Sequence, residues 1–150
     1  MQNKSDFITK FGGIYEHSPW VAEAAFAAGG DIQAAMKAAV NAAPRDKKLA
    51  LICAHPELAC LQGLTASSTS EQDGAGLNQC TPEELAEFQK LNADYKKKFG
   101  FPFVIAVRGL HRTDILAQFR KRIHNDAATE FDTALEQIHK IAGFRLSALA

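Results

Sequence analysis

One stretch of the chain gathers residue types suited to acid–base chemistry: His55-Pro56-Glu57-Leu58-Ala59, directly after the apolar run Leu49-Ala50-Leu51-Ile52-Cys53-Ala54. An unperturbed imidazole titrates at about pH 6.5, so it can take up or release a proton near neutrality. Proline disfavours helical dihedrals in the residue before it, which places His55 at a helix boundary, its ring projecting from a rigid helix end. The apolar run reads as the last turns of a buried helix. Three further segments stand out: Ser68 to Gln72, Phe103 to Val107, and Arg108. A guanidinium that leaves buried backbone usually pairs with an acid, in the protein or in a ligand. Each feature also has a plainer reading. A histidine at a helix end is commonly a cap or a surface group. Glu71-Gln72 suits the exposed first turn of a helix, and Phe103-Val104-Ile105-Ala106-Val107 is economically core.

Other chemistries find little support. Cys53, His55 and Cys60 match no common zinc spacing and lack a further ligand, so no metal site is expected. Gly74-Ala75-Gly76 lacks the strand context and the later glycine of a dinucleotide fingerprint, and no Walker lysine motif is present. No Gly-x-Ser-x-Gly elbow occurs. His17, His111, His124 and His139 lie among polar residues and read as surface groups.

The positioning scaffold must come from 150 residues, enough for one domain, 1–150, with a real core. Hydrophobic residues are 47% and charged residues 23%, an ordinary soluble balance. Seventeen basic residues offset seventeen acidic ones, for a formal net charge of zero. That speaks against nucleic acid, whose phosphates demand a basic excess. No apolar stretch has the length of a membrane span. Met1 to Asp6 lack the apolar core of a signal peptide, and the final Ser147-Ala148-Leu149-Ala150 is no peroxisomal address. Three cysteines at scattered spacings suggest free thiols in a reducing cytoplasm rather than a disulfide framework.

The pattern along the chain is helical. Ser5 can cap a short helix carrying Phe7, Ile8 and Phe11, stopped by Gly12-Gly13. Ser18-Pro19 starts a second helix, which ends at Gly29-Gly30. Asp31 caps a third, whose Ile32, Met36 and Val40 recur every four residues. Pro44 opens a fourth that runs towards His55. Residues 62 to 80, rich in Ser, Thr and Gly, read as a surface loop folded over a site. Thr81-Pro82-Glu83-Glu84 is a strong helix start. Leu85, Phe88, Tyr95 and Phe99 form its stripe, Lys96-Lys97-Lys98 complement its dipole, and Gly100 ends it. Phe101 to Gly109 is the one strand-like stretch. No second strand offers itself, so a buried extended segment between helices is expected. Thr113-Asp114 begins a helix with Ile115, Phe119 and Ile123 inside, Asn125-Asp126 break it, and a last helix carries Phe131, Leu135, Ile138 and Ile141. The expectation is an all-α, single compact domain of seven to eight helices with one extended segment near 101–109.

Four segments in order resemble one family: Phe11 to Trp20 (Phe-Gly-Gly-Ile-Tyr-Glu-His-Ser-Pro-Trp), His55-Pro56-Glu57-Leu58-Ala59, Ser68-x-x-Glu71-Gln72-x-Gly74-Ala75-Gly76-Leu77, and Phe101-Pro102-Phe103 through Arg108-Gly109. They look like 2-oxo-4-hydroxy-4-carboxy-5-ureidoimidazoline (OHCU) decarboxylase of urate degradation. The resemblance implies an all-α homodimer and a cofactor-free decarboxylase yielding S-allantoin, acting after urate oxidase and hydroxyisourate hydrolase. By motif, His55 matches the catalytic histidine and Pro56 flanks the ligand. Ser68, Glu71 and Gln72 match a substrate-binding segment, with Glu71 also holding the catalytic geometry. Phe103, Val104, Ile105, Ala106 and Val107 match a second segment, whose backbone contacts the ring, and Arg108 matches the arginine after it. The stretch between Ala59 and Ser68 is shorter than is usual in the family. From the residues alone, a non-catalytic helical module stays open, as does a decarboxylase of a related ureido or imidazole acid.

Overall fold

In the computed structural model, which describes residues 3–59 and 65–149, the described residues form eight α-helices and no strand. The helices are α1 (Lys4–Phe11), α2 (Trp20–Ala28), α3 (Ile32–Ala42), α4 (Arg45–Cys53), α5 (Ala66–Gly74), α6 (Pro82–Phe99), α7 (Arg112–Arg122) and α8 (Ala127–Leu149). A 3-10 turn at Leu77–Gln79 follows α5. The all-α expectation holds. None of these helices is long and apolar enough to cross a membrane. Contacts divide the chain into two units, Met1–His55 with Ile138–Ala150, and Pro56–Gln137.

The first unit is built from α1 to α4 and the later part of α8. Asn3, not Ser5, caps α1, its side chain accepting the Asp6 N–H at 2.8 Å. Ser5 lies inside the first turn, and either residue type can serve as a cap. Phe7 packs on Phe11 and on Phe26, with ring centroids 4.8 and 5.3 Å apart. Ser18 does not cap α2. Its hydroxyl donates instead to the Glu16 carbonyl at 2.9 Å, while Pro19 already has helical dihedrals. Asp31 caps α3 as its type and place predict, accepting from Ala34 N–H at 2.8 Å. Met36 and Val40 from α3 and Leu51 and Ile52 from α4 are buried, whereas Ile32 is half-buried. The run before His55 is not buried throughout: Leu49, Ala50 and Cys53 are exposed, because three successive helical residues cannot all face one core.

The second unit holds α5, α6, α7 and the start of α8. Ala66–Gly74 is helical, which corrects the loop reading over that part of 62–80; residues 62–64 lie outside the described residues. Thr65 caps α5 by accepting the Ser68 N–H at 3.1 Å. The helix escapes a search for apolar periodicity because the residues it buries at i and i+4, Ser68 and Gln72, are polar. At the far end of α5, Gly76 adopts φ +80° with Arg112 Nη1 only 3.2 Å from where a Cβ would sit, so backbone and space both call for glycine. Thr81 and Glu84 form the reciprocal capping box of α6, at 2.9 and 3.1 Å. Gly100 ends α6 in the left-handed region at φ +81°. The buried stripe of α6 is Phe88, Asn92 and Tyr95, whereas Leu85 is exposed.

After α6 comes the irregular run Phe101 to Val107, buried at every position. Without a partner strand its peptide groups need other partners. Arg122 Nη1 donates to Val104 O at 2.8 Å, and Ala106 N–H donates to Gln137 Oε1 at 3.0 Å. The Arg122 guanidinium also lies over the Phe103 ring at 4.3 Å, and Phe103 stacks on Phe119 at 3.9 Å. The run ends in a turn in which Leu110 N–H bonds Val107 O at 2.9 Å and Gly109 takes φ +83°. His111, not Thr113, caps α7, with Asp114 closing its capping box.

Candidate active site

In the first unit, α4 ends at Cys53, and His55 follows as the boundary residue that Pro56 requires. It is 7% exposed, and its Nδ1 lies 2.8 Å from Leu51 O. A carbonyl only accepts, so Nδ1 carries the hydrogen and Nε2 keeps its lone pair. Burial lowers the His55 pKa to about 4. The Leu51 bond and the negative charge of Glu16 act in the opposite direction, and Arg145 adds to the lowering. At neutral pH the ring is therefore an uncharged base oriented by the helix end.

Glu16 and Arg145 were not singled out from the sequence. Both are buried, and Arg145 Nη2 donates to Glu16 Oε2 at 3.4 Å. Arg145 Nη1 also reaches the carbonyls of Gly13 and Ile14, at 3.1 and 3.4 Å, tying residues 13–16 to α8. A buried ion pair in the same electrostatic neighbourhood as a histidine of perturbed pKa marks this place as a candidate functional site. The available signal was the Tyr15-Glu16-His17 connector, an acid beside apolar residues in a glycine-bounded turn. His139, read as a surface group, is half-buried instead. Its Nδ1 lies 2.8 Å from Tyr15 Oη and its Nε2 3.2 Å from Asn41 Oδ1, and burial lowers its pKa to about 4.

In the second unit, Pro56 is half-buried at the start of a short non-helical turn. Ser68 and Gln72 are buried one helical turn apart on α5, and Glu71 beside them is half-buried. Ser68 lies in the first turn of α5 but is buried, and Glu71 and Gln72 sit near the end of the helix, not in an exposed first turn. Gln72 reaches back to the chain after Pro56. Its Oε1 accepts the Ala59 N–H at 3.1 Å, and its Nε2 donates to Glu57 O at 3.4 Å. Asn92 on α6 donates to Leu58 O at 3.0 Å. Phe103, Val104, Ile105, Ala106 and Val107 are buried, and Arg108 is exposed at the turn that follows. The buried guanidinium here is Arg122, which pairs with Glu130 at 2.9 Å. Cys60, part of the zinc reading, and most of the stretch between Ala59 and Ser68 lie outside the described residues. Among the described residues no three His, Cys, Asp or Glu side chains are grouped to hold a metal ion.

The family model for OHCU decarboxylase matches residues 1–147. A 2-oxo-4-hydroxy-4-carboxy-5-ureidoimidazoline decarboxylase from Haloferax volcanii is 42% identical over 146 residues, covering 94% of this chain and 87% of that protein. A uric acid degradation bifunctional protein from Bacillus sp. (strain TB-90) is 41% identical over 150 residues, which are 97% of this chain but 30% of that longer protein. The crystal structure of an (S)-allantoin synthase superposes with a TM-score of 0.78 at 38% identity, covering 99% of this chain and 51% of that one.

Proposed function

The chain belongs to the OHCU decarboxylase family of carboxy-lyases, and from that premise we propose that it decarboxylates 2-oxo-4-hydroxy-4-carboxy-5-ureidoimidazoline to S-allantoin in urate degradation, with His55 as its acid–base group. The match over residues 1–147 carries this reading. In that substrate the carboxylate sits on a carbon that bears a hydroxyl and adjoins a ring C=N. The substrate therefore supplies its own electron sink. As carbon dioxide leaves, its bonding pair enters the ring as an enol and the imine nitrogen takes a proton. The enol hydroxyl then loses its proton as the carbonyl forms, and a proton is added to the neighbouring carbon on one face. One proton is taken up per carbon dioxide released.

The neutral His55 Nε2 is the lone pair that receives the hydroxyl proton, and the resulting imidazolium is the acid that returns one to carbon. Its low proton affinity makes that return favourable. Glu71 holds the reacting groups in register, and Ser68 and Gln72 bind the ureido and ring amide groups. Backbone groups of Phe103 to Val107, with Pro56, bound the ring, and Arg108 meets the anionic substrate. The family resemblance supports these substrate contacts; for His55 it is joined by the buried, tautomer-fixed ring. The same resemblance supports a cytoplasmic homodimer acting after urate oxidase and hydroxyisourate hydrolase.

The test supplies substrate from those two enzymes and follows allantoin by circular dichroism. The expected result is S-allantoin from the wild-type chain. His55→Asn, folded by far-ultraviolet dichroism, should lose at least about a hundredfold in rate. No allantoin from the wild type overturns the activity, and a wild-type rate in His55→Asn overturns the role of His55.

A further inference from the structure

We propose that Asn92 is a positioning residue for His55, acting with Gln72 through the turn that leaves Pro56. The proposal rests on the decarboxylase reading above and adds a residue to it. Residues 56 to 59 form neither helix nor strand, and Leu58 is buried. Among the described residues, no backbone–backbone bond reaches Glu57, Leu58 or Ala59. Their peptide groups are taken by side-chain carboxamides from two helices instead. Gln72 of α5 holds Glu57 O and Ala59 N–H, and Asn92 of α6 holds Leu58 O between them. Ala59 is kept at φ +59°, a left-handed conformation that alanine seldom adopts unless its surroundings impose it. Two consecutive peptide groups, Glu57–Leu58 and Leu58–Ala59, are thus held just beyond Pro56, and the proline ring removes one torsion from the link to the histidine.

A merely structural Asn92 explains less. It sits on the buried stripe of α6 between Phe88 and Tyr95, where an apolar side chain would complete the core. It is 6% exposed, and its Oδ1 is buried with no hydrogen-bond partner. That orphaned acceptor costs free energy. The asparagine therefore spends stability on one contact, the donor to Leu58 O. Gln72 retains a second lone pair and a second N–H beyond its two backbone bonds, so holding the turn is compatible with its touching substrate.

The test uses Asn92→Leu and Asn92→Asp, both of which remove the N–H donor, in the coupled allantoin assay together with amide hydrogen exchange. The proposal expects kcat to fall at least about tenfold with KM within about twofold, below the thermal midpoint of each variant. It also expects the Ala59 amide to exchange as slowly as the α5 amides in the wild type and faster in Asn92→Leu. Unchanged kcat in either folded variant overturns the proposal. Fast exchange at Ala59 in the wild type overturns it without any variant. A wild-type chain that makes no allantoin overturns the decarboxylase reading, and with it the positioning role. A protected Ala59 amide in that case would still distinguish the failed activity from a failed turn.

Discussion

At neutral pH the buried ring of His55 stays uncharged. Burial lowers its pKa to about 4 from an ordinary 6.5, and the Leu51 carbonyl fixes which nitrogen is free. Two pH dependences follow. The rate should hold its neutral-pH value well below pH 6.5 and fall with an apparent pKa near 4. A pH–kcat/KM profile that bends at 6.5 would describe a solvated imidazole and contradict this. For stability, the unfolded chain binds a proton at this position below pH 6.5, while the folded chain does so only near 4. The contribution is therefore fully present above 6.5 and is lost as pH falls towards 4. His139, lowered to about 4 by burial, acts in the same direction. Thermal midpoints measured across this window should drop, and less steeply in His55→Asn. That His55 marks a helix end was legible from the proline beside it. That its ring is neutral was not, since nothing local to residue 55 encodes burial.

At the scale of elements, the run Phe101 to Val107 depends on a group far from it in sequence. Glu130 is fully buried and accepts from Arg122 at 2.9 Å, Tyr95 at 2.6 Å and Asn125 at 2.9 Å. The pair lets Arg122 hold Val104 while its charge is compensated. Arg122→Met leaves that carboxylate without its cation, and urea unfolding should show a loss of about 3–5 kcal/mol. Adding Glu130→Leu should recover much of that loss, because the cost lies in the uncompensated charge rather than in the missing attraction. A single variant within about 0.5 kcal/mol of wild type would mean the pair does not carry the segment. Helix starts with strong chemistry, at Asp31 and at Thr81-Pro82-Glu83-Glu84, were legible to the residue. Those at Ser5 and Thr113 were two residues late, since neighbouring Asn3 and His111 compete for the same role. Helix α5 was invisible because its inward face is Ser68 and Gln72. A search for apolar periodicity misses a helix whose buried side chains are there to make hydrogen bonds.

At the scale of the whole molecule, the all-α class and the unpaired 101–107 run followed from hydrophobic patterning, while membership of the family followed from four short motifs in order. The residues missed were buried polar ones: Glu16, Asn92, Arg122, Glu130 and Arg145. Each is typed by sequence as a surface group and becomes a core group only when a distant partner compensates it, as Arg122 and Glu130 do across eight positions. The proposed homodimer is decided by mass. Sedimentation velocity should give about twice the 16.3 kDa of one chain, and a species at the monomer mass across micromolar concentrations would remove the dimer from the reading.

The Phe103-Val104-Ile105-Ala106-Val107 run has one more consequence, which concerns the chain before it folds. Five uncharged residues, four of them of high β-propensity, freed from Arg122 and Gln137, are what intermolecular sheets recruit. Lys96, Lys97 and Lys98 upstream and Arg108 immediately downstream bracket the run with positive charge, so that two unfolded copies repel where they would otherwise zip together. The charges that flank this segment thus also guard the nascent chain against aggregation.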